Sequence, residues 1–517
     1  MTSSVELTLL IVYALSFYLF IIHRSLQISR DHYTKLYGLR SGWIFHRFND
    51  VSDAQWRNFR GNLMILTLVF GIFTLVATSC RKYGLKAKGM SVVWLMVSLV
   101  YLTYLHGACV LYILSIASAN FLLVKICGRT KFVFLLWIFN LTFLICNRVY
   151  EGYPFSLFGQ NWAYLDNYRG TFRWHICFNF VILRMISFGY DYHWANYSNR
   201  FDKEKHIQRC SNCSSGRTCY QLLQERSLEN GKFSFTIYLC YLIYAPLYIA
   251  GPIVSFNAFA SQLDTPQKTH SLQKVVWYGL RWVFSLMLME SMTHFFYYNA
   301  FAISGTWKYL SPLDIFIIGY GINGIEAPEN MPRCINNCYN LESFWRNWHA
   351  SFNKWLVRYM YIPLGGTQTK LLNVWVIFTF VAVWHDLEKL LSWAWLTCIF
   401  FIPEMIVKST TNTLKVESSV GKFLYRELSA VAGAVTITCL MVANLVGFVI
   451  GSSGINWLLS KFLQKEGLPT LGGMFITFYV GTKCSFESSV CINHDLNLIM
   501  QLMFHISDAK KKHIHSR

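Results

Sequence analysis

Charged residues are scarce in this chain of 517 residues. They make up 14% of it, whereas 54% of the residues are hydrophobic and 17% are aromatic. Soluble globular proteins contain about 25% charged residues, and no polar domain separates the apolar runs here. The composition therefore excludes a string of soluble domains and predicts an all-α polytopic membrane protein.

Acidic residues are rarer than basic ones, with 26 Asp and Glu against 46 Lys and Arg, and the formal net charge is +20. Because the positive charge is scattered between apolar runs, it fits loops beside anionic lipid headgroups better than a nucleic-acid surface. The chain also lacks a Gly-x-Ser-x-Gly elbow, a phosphate-binding P-loop and a dinucleotide fingerprint. These absences argue against a covalent serine mechanism and against an ATP-driven pump.

Apolar runs that are long enough, or nearly long enough, to cross a bilayer recur along the whole chain. We expect about 10–12 of them to be transmembrane helices and the others to be re-entrant or interfacial segments. The first run has no basic region before it, so we interpret it as a retained span and not as a cleaved signal. The runs lie at 6–22, 62–80, 89–107, 109–127, 131–147, 171–190, 234–251, 274–302, 312–325, 371–385, 391–407, 428–452 and 468–483.

The longest polar stretch, Tyr192 to Phe233, carries a group of potential metal ligands. Cys210, Cys213 and Cys219 follow His206 at spacings of four, three and six residues. Thiols and imidazoles are the side chains that zinc prefers, although a framework of paired Cys-x2-Cys motifs is missing. A disulfide is the alternative interpretation if the loop is lumenal. Outside this loop we expect no bound metal.

Two other polar features interrupt the apolar pattern. The connector from His23 to Arg60 is basic and aromatic and is predicted to lie on a membrane surface. Arg184 lies inside an apolar run, where we expect it to pair with a carboxylate such as Asp191 unless it faces a substrate.

The stretch from Ser343 to Glu388 organises the chain. At about 100° per residue its first half predicts one amphipathic helix, which ends at Pro363 and the following Gly-Gly pair. The next run, Leu371 to Trp384, brings His385 to membrane depth, where an ionisable residue indicates function. The apolar face of the helix comprises Trp345, Trp348, Phe352, Trp355, Leu356 and Tyr359, and the polar face comprises Arg346, Asn347, Ser351, Asn353, Lys354 and Arg358.

These residues resemble the signature of the membrane-bound O-acyltransferase (MBOAT) family. The Trp-His-Asp form of the second motif is similar to the glycerol-uptake-protein branch, which is related to Hedgehog acyltransferase. The resemblance covers most of the chain. It rests on Phe344-Trp345-x2-Trp348-His349-x-Ser351-x3-Trp355-x3-Tyr359-x-Tyr361-x-Pro363-Leu364-Gly365-Gly366, on Trp384-His385-Asp386, and on the shorter segments 52–60, 184–188 and 248–252.

The resemblance implies roles for individual residues. His385 matches the catalytic histidine and would be the general base, whereas a histidine satisfied at a helix end is the structural alternative. His349 matches the second polar position and would orient the acceptor, polarise the thioester or support His385, whereas an interfacial histidine beside tryptophans is the structural alternative. Arg358 would meet the phosphates of coenzyme A or face lipid headgroups. The residues expected to contact substrate are Trp345, Trp348, Asn353, Arg358, Trp384 and Asp386.

The implied protein is one MBOAT-like membrane domain whose helices surround a central tunnel. It would use acyl-CoA as co-substrate, with no tightly bound cofactor, and would acylate a lyso-lipid or the lipid of a glycosylphosphatidylinositol anchor in the endoplasmic reticulum membrane. Its parts would be N-terminal spans at 1–190, a polar loop at 192–233, a catalytic core at 234–452 and a C-terminal span and tail at 453–517.

Three other functions stay open at this point. A protein acyltransferase of the Hedgehog-acyltransferase type would use a peptide acceptor. A glycerol transporter would be favoured by inverted repeats, which are not evident in the sequence. A catalytically silent relative would act as a scaffold, although the presence of both His349 and His385 argues against this interpretation.

Overall fold

Helices form nearly all of the computed structural model. The structure describes residues 4–127, 132–197, 201–216, 218–248, 251–263, 271–324, 341–347, 349–385, 391, 393–401, 404, 419–446 and 454–484. Within this part of the chain the only strands, Leu39–Ser41 and Phe48–Asp50, form one antiparallel hairpin. The prediction of an all-α membrane fold is confirmed.

The first eight helices cover the N-terminal part of the chain. They are α1 (Ser4–His32), α2 (Ala54–Gly61), α3 (Leu63–Lys82), α4 (Ala87–His106), α5 (Val110–Ile126), α6 (Phe132–Val149), α7 (Gln160–Ala163) and α8 (Trp174–Tyr197). Short 3-10 turns lie at Tyr33–Lys35, Phe155–Phe158 and Tyr164–Tyr168.

The next eight helices include the short ones of the polar loop. They are α9 (Lys203–Arg209), α10 (Ser211–Ser214), α11 (Tyr220–Glu225), α12 (Phe235–Ile243), α13 (Ala245–Tyr248), α14 (Phe256–Gln262), α15 (Leu272–Phe295) and α16 (Tyr298–Ser304). 3-10 turns lie at Asn230–Lys232 and Thr306–Tyr309.

The remaining helices contain both histidine motifs. They are α17 (Pro312–Gly324), α18 (Leu341–Asn347), α19 (Ala350–Leu356), a π-helix at Val357–Tyr361, α20 (Lys370–His385), α21 (393–401), α22 (Ser419–Leu445), α23 (Gly454–Leu463) and α24 (468–484).

Five helices of the described residues are long and apolar enough to cross a membrane. They are Val5–Lys35, Leu63–Lys82, Ala87–His106, Phe132–Val149 and Phe423–Leu445, and two shorter apolar helices are Val110–Ile126 and Lys370–His385. The chain is therefore a multi-pass membrane protein, and the total of about 10–12 spans stays a prediction.

Two predicted segments have a different local structure. The run 234–251 is not one spanning helix, because α12 ends at Ile243 and a separate short helix, α13, follows. Nine residues of α-helix rise only about 14 Å, less than half of a hydrocarbon core. In the first connector, α1 extends to His32 and the hairpin follows it, and its place on a membrane surface stays a prediction.

The chain divides into two compact units, each built from segments that are distant in sequence. Unit 1 comprises Met1–Arg57, Ser285–His349 and Ser392–Arg517, and unit 2 comprises Asn58–Phe284 and Ala350–Leu391. The interpretation of 1–517 as a single domain stays a prediction.

In unit 1 the helices α1 and α17 pack against each other, and Arg24 of α1 forms an ion pair of 2.8 Å with Asp314. The apolar core of this unit includes Ile28, Phe301 and Ile317, all of which are nearly inaccessible to solvent. The carboxylate of Asp50, at the end of the hairpin, accepts a hydrogen bond from the backbone N–H of Ala300 in the first turn of α16.

In unit 2 the helix α8 lies at the centre. It packs against α5, α6, α12 and α14, and its side chains are buried on every face from Val181 to Asp191. The apolar side chains of this stretch favour such enclosure, and its polar ones, Arg184, Ser187 and Asp191, find partners inside the unit. This central helix supplies most of the partners of the motif residues described below.

Candidate active site

His385 ends the apolar helix α20. The helix begins at Lys370 after a turn in which Gly365 and Gly366 have φ angles of 102° and 58°, so the predicted stop signal is confirmed. From there the helix is apolar up to Trp384, and His385 is half-buried. The imidazole thus follows a buried helix directly, at the place where its last carbonyl groups need partners.

Two polar side chains hold this helix end. Asn179 of α8 donates a hydrogen bond of 2.8 Å to the carbonyl oxygen of Trp384, and the indole Nε1 of Trp384 donates one of 3.0 Å to the carbonyl oxygen of Asn179. The guanidinium of Arg148 donates to the carbonyl oxygens of both Trp384, at 2.7 Å, and His385. A cation at the carboxyl end of a helix is also favoured by the helix dipole. The backbone of His385 is therefore fixed in unit 2 from two other helices.

Aromatic rings surround the same helix end. The ring of Trp384 lies 4.7 Å from the ring of Phe352 and 5.3 Å from that of Phe180, between centroids. It meets the imidazole of His385 edge to face at 4.7 Å. Trp384 is buried and its ring contacts all three of these rings, so it covers one side of the imidazole.

His349 belongs to unit 1 and lies between α18 and α19. The prediction of one continuous amphipathic helix is wrong here, because His349 has a φ angle of 43° and interrupts the helix. For a residue other than glycine, the left-handed backbone conformation is less stable by about 1–2 kcal/mol. Burial lowers the pKa of the His349 imidazole, which lies outside the candidate spans. Backbone strain of this kind is concentrated at functional sites.

The other predicted substrate residues lie in varied surroundings. Trp345 is half-buried in unit 1, where its ring contacts those of Phe344 at 5.0 Å and Trp393 at 5.3 Å. Asn353 is half-buried in unit 2. Trp348 and Asp386 lie outside the described residues.

Arg358 contradicts both interpretations made from the sequence. Only 6% of it is exposed, so it neither faces lipid headgroups nor is open to a phosphate. Its guanidinium forms an ion pair of 3.2 Å with Asp191 of α8, a second one with Glu225 of α11, and lies over the ring of Trp194. Two carboxylates already neutralise this cation, so its position is structural. The π-helix that carries it directs both Arg358 and Tyr359 to Asp191.

The expected pairing of Arg184 with Asp191 is also wrong. Arg184 is buried and donates hydrogen bonds to the carbonyl oxygens of Leu242 and Leu247. These two carbonyls flank the break between α12 and α13, where the backbone needs additional donors. Arg184 therefore stabilises an interrupted helix, whereas Asp191 forms its ion pair with Arg358.

The potential metal ligands of the polar loop do come together. One ligand atom from each of His206, Cys210, Cys213 and Cys219 lies within 4.8 Å of the others, and the three thiols are free.

Sequence reasoning missed Arg148 and Asn179 as partners of the His385 helix end. Both lie at or within apolar runs, and a polar residue in such a place is the signal that indicates function. This signal does not reveal which residue the side chain contacts, because Arg148 and His385 lie 237 positions apart in the sequence.

The pattern of MBOAT, the membrane-bound O-acyltransferase family, matches residues 126–442. The chain is similar to the membrane-bound O-acyltransferase gup1 of Schizosaccharomyces pombe, with 32% identity over 87% of this chain and 82% of the relative. It is 31% identical to the membrane-bound O-acyltransferase GUP1 of Saccharomyces cerevisiae, over 92% of this chain and 85% of the relative. The mouse protein-cysteine N-palmitoyltransferase HHAT is 27% identical over 49% of this chain and 58% of the relative.

Proposed function

This chain belongs to the membrane-bound O-acyltransferase family, and we propose that it transfers a long-chain acyl group from acyl-CoA to a hydroxyl group of a membrane lipid, with His385 as the general base. The endoplasmic reticulum membrane is the proposed location. The acceptor class is a lyso-lipid or the lipid of a glycosylphosphatidylinositol anchor.

The reaction needs one base and a positioned thioester. The acceptor oxygen attacks the thioester carbonyl carbon while the His385 imidazole takes the hydroxyl proton. The carbon–sulfur bond then breaks, and the coenzyme A thiolate leaves and takes up that proton. His349 orients the acceptor or polarises the thioester carbonyl. Transfer is direct, without an acyl-enzyme.

The observation that carries this proposal is the anchored end of α20. Arg148 and Asn179 fix the backbone of Trp384 and His385 from two other helices, and the Trp384 ring packs against the imidazole. A base contributes most when it is held in one position before the substrate arrives. The same contacts also satisfy the last carbonyl groups of the helix, so the backbone of His385 is held in place at no cost in unpaired polar groups.

A peptide acceptor is the second candidate, because the mouse relative is named a protein-cysteine N-palmitoyltransferase. A hydroxyl acceptor is preferred to an amine, since the relatives that match over most of this chain are named O-acyltransferases. A hydroxyl acceptor and an amine acceptor both need a base at the thioester, so the same site serves either.

The test is an acceptor panel. Purified protein is incubated with radiolabelled long-chain acyl-CoA and, in separate reactions, with lyso-phospholipids, glycosylphosphatidylinositol lipids and a peptide with an N-terminal cysteine. His385→Ala protein supplies the background in each reaction. A labelled lipid above this background supports the proposal. Label in the peptide alone supports the second candidate, and no labelled product at all contradicts both and leads to a measurement of glycerol flux in vesicles.

A further inference from the structure

Three short helices of the polar loop present four metal-ligating side chains to one point. His206 lies in α9, Cys210 ends that helix, Cys213 lies in α10 and Cys219 directly precedes α11. The imidazole Nε2 of His206 lies 3.2 Å from the sulfur of Cys219 and 3.5 Å from that of Cys213. The four side chains thus converge from three separate elements.

These two distances are slightly shorter than those of a tetrahedral zinc site, and all four ligand atoms lie within 4.8 Å of one another. With a zinc–sulfur bond of about 2.3 Å and a zinc–nitrogen bond of about 2.0–2.1 Å, a nitrogen and a sulfur ligand lie about 3.6 Å apart, and two sulfur ligands about 3.8 Å apart. The sulfur of Cys219 also accepts a hydrogen bond of 3.3 Å from the backbone N–H of Leu222. Such a donor stabilises a thiolate and orients it.

In the segment from α9 to α11, apolar burial is concentrated in α11, through Leu222 and Leu223, and is sparse before that helix. Among the described residues from 201 to 219, Cys213 is the single buried one. The helices α9, α10 and α11 have seven, four and six residues, whereas isolated helices shorter than about 12–15 residues are marginal in water. A small polar segment of this kind folds stably when a metal or a disulfide connects its parts.

We propose that His206, Cys210, Cys213 and Cys219 bind a structural zinc ion. Four protein ligands close the coordination sphere, so the ion has no open position for a substrate and does no chemistry. Three thiolates and one Zn²⁺ leave the site with a net charge of −1. Lys205, Arg209 and Asp202 line the same pocket as His206 and Cys210, and their net charge of about +1 offsets that of the site.

The site connects the polar loop to the buried charges of unit 2. Cys219 fixes the start of α11, and the end of this helix meets Arg358: its Glu225 pairs with the guanidinium, and the carbonyl oxygen of Gln224 accepts a hydrogen bond of 3.1 Å from it. Zinc therefore keeps α11 against Arg358. Without the ion we expect the loop to separate from the core at this helix.

The test is the metal content of the full-length protein, purified in detergent through a tag without histidine. Elemental analysis is expected to find about one zinc per chain in the unaltered protein. Cys213→Ser is expected to lose the metal, whereas the matched control Cys80→Ser, which changes a thiol of α3 outside the cluster, is expected to retain it. Removal of zinc by a chelator is expected to lower the melting temperature of the control and not that of Cys213→Ser.

A second variant covers the case in which Cys213→Ser does not fold. His206→Cys converts the ligand set to four thiolates and is expected to keep the metal. After replacement of zinc by Co²⁺, this variant is expected to show a stronger thiolate-to-cobalt charge-transfer absorption than the unaltered protein. The proposal is overturned by a purified protein that holds no zinc and has two of Cys210, Cys213 and Cys219 joined in a disulfide. Zinc retained in full by folded Cys213→Ser, or a cobalt spectrum unchanged by His206→Cys, overturns it equally.

Discussion

His349 keeps a left-handed backbone at a position where glycine would be free of strain. Its φ angle of 43° separates two helices of seven residues each. A strained residue persists only where its side chain or the surrounding structure requires it. In the proposed mechanism that requirement is the imidazole, which meets the acceptor or the thioester.

A pair of substitutions at this residue separates strain from function. We expect His349→Gly to be more stable than His349→Ala by about 1 kcal/mol, because glycine adopts a positive φ without cost. Both variants are expected to lose most of the acyltransferase activity. Thermal unfolding in detergent and the transfer assay measure the two effects.

The matched control is the same pair at Lys354, an exposed residue inside α19. There the order is expected to reverse, with Gly less stable than Ala by about 1 kcal/mol, since glycine weakens a helix interior. An Ala variant at His349 that is as stable as the Gly variant would contradict the strained backbone.

The sequence points to His385 and His349, whose roles stay predictions, but it does not show which residues surround them. Both histidines follow tryptophans in recognisable motifs. Arg148 and Asp191 could not be paired with their partners, because helix packing over long sequence separations decides those contacts. The assignment of Arg358 failed for a related reason: periodicity placed it on a polar face, but the π-helix and Asp191 bring it into the interior.

At the scale of elements, polar contacts attach the motif helices to α8. The indole of Trp355 donates to the carbonyl oxygen of Leu183 at 3.1 Å, and the hydroxyl of Ser187 lies 2.7 Å from that of Tyr359. The Arg358–Asp191 pair lies one turn further along α8. Within a membrane, hydrogen bonds and close packing hold helices together, since lipid is as apolar as their surfaces.

Loss of one charge in this pair should be costly. We expect Arg358→Met to destabilise the protein by about 3–5 kcal/mol, because Asp191 is left as a buried charge without its cation. The double variant Arg358→Met/Asp191→Asn is expected to be more stable than Arg358→Met alone. Unfolding in detergent measures both.

Glu225→Gln is the matched control, because Glu225 is 32% exposed whereas Asp191 is fully buried. It is expected to cost much less than Arg358→Met. Equal losses in the two variants would show that the buried pair does not hold α8 and the π-helix together.

Arg148 connects α6 to the end of α20 and thereby positions the proposed base. We expect Arg148→Met to lower kcat about 100-fold with little change in KM, since a small displacement of a catalytic group has this effect. Arg148→Lys is expected to restore part of kcat. Arg81→Met, which removes an arginine from the last turn of α3, is expected to leave both constants unchanged. A rise in KM with unchanged kcat in Arg148→Met would assign Arg148 to substrate binding instead.

The elements that the sequence predicts best are the long apolar ones. The runs 62–80, 89–107 and 131–147 correspond within a few residues to α3, α4 and α6. Errors occur where a tertiary contact changes local geometry, as at the break between α12 and α13, whose carbonyls Arg184 satisfies. Hydrophobic periodicity likewise does not reveal the positive φ of His349, because it describes the spacing of apolar residues and not the backbone angle of one residue.

At the scale of the whole molecule, composition alone indicates a polytopic membrane protein, but it does not show which segments of the chain pack together. Both compact units are assembled from segments far apart in the chain, and the two histidines fall in different units. Shared family membership over residues 126–442 supplies the acyltransferase activity. His385 as the base, acyl-CoA as the donor and a membrane lipid as the acceptor remain proposals.

The most direct test of the central claim compares initial rates of transfer from radiolabelled acyl-CoA to the accepted lipid by three proteins of matched melting temperature. These are the unaltered chain, His385→Ala, and His23→Ala, which changes an exposed histidine of α1. If His385 is the general base, His23→Ala is expected to keep full activity and His385→Ala to lose activity by at least about 100-fold, as for removal of a general base. A folded His385→Ala protein that transfers label at the unaltered rate would show that His385 is not the base.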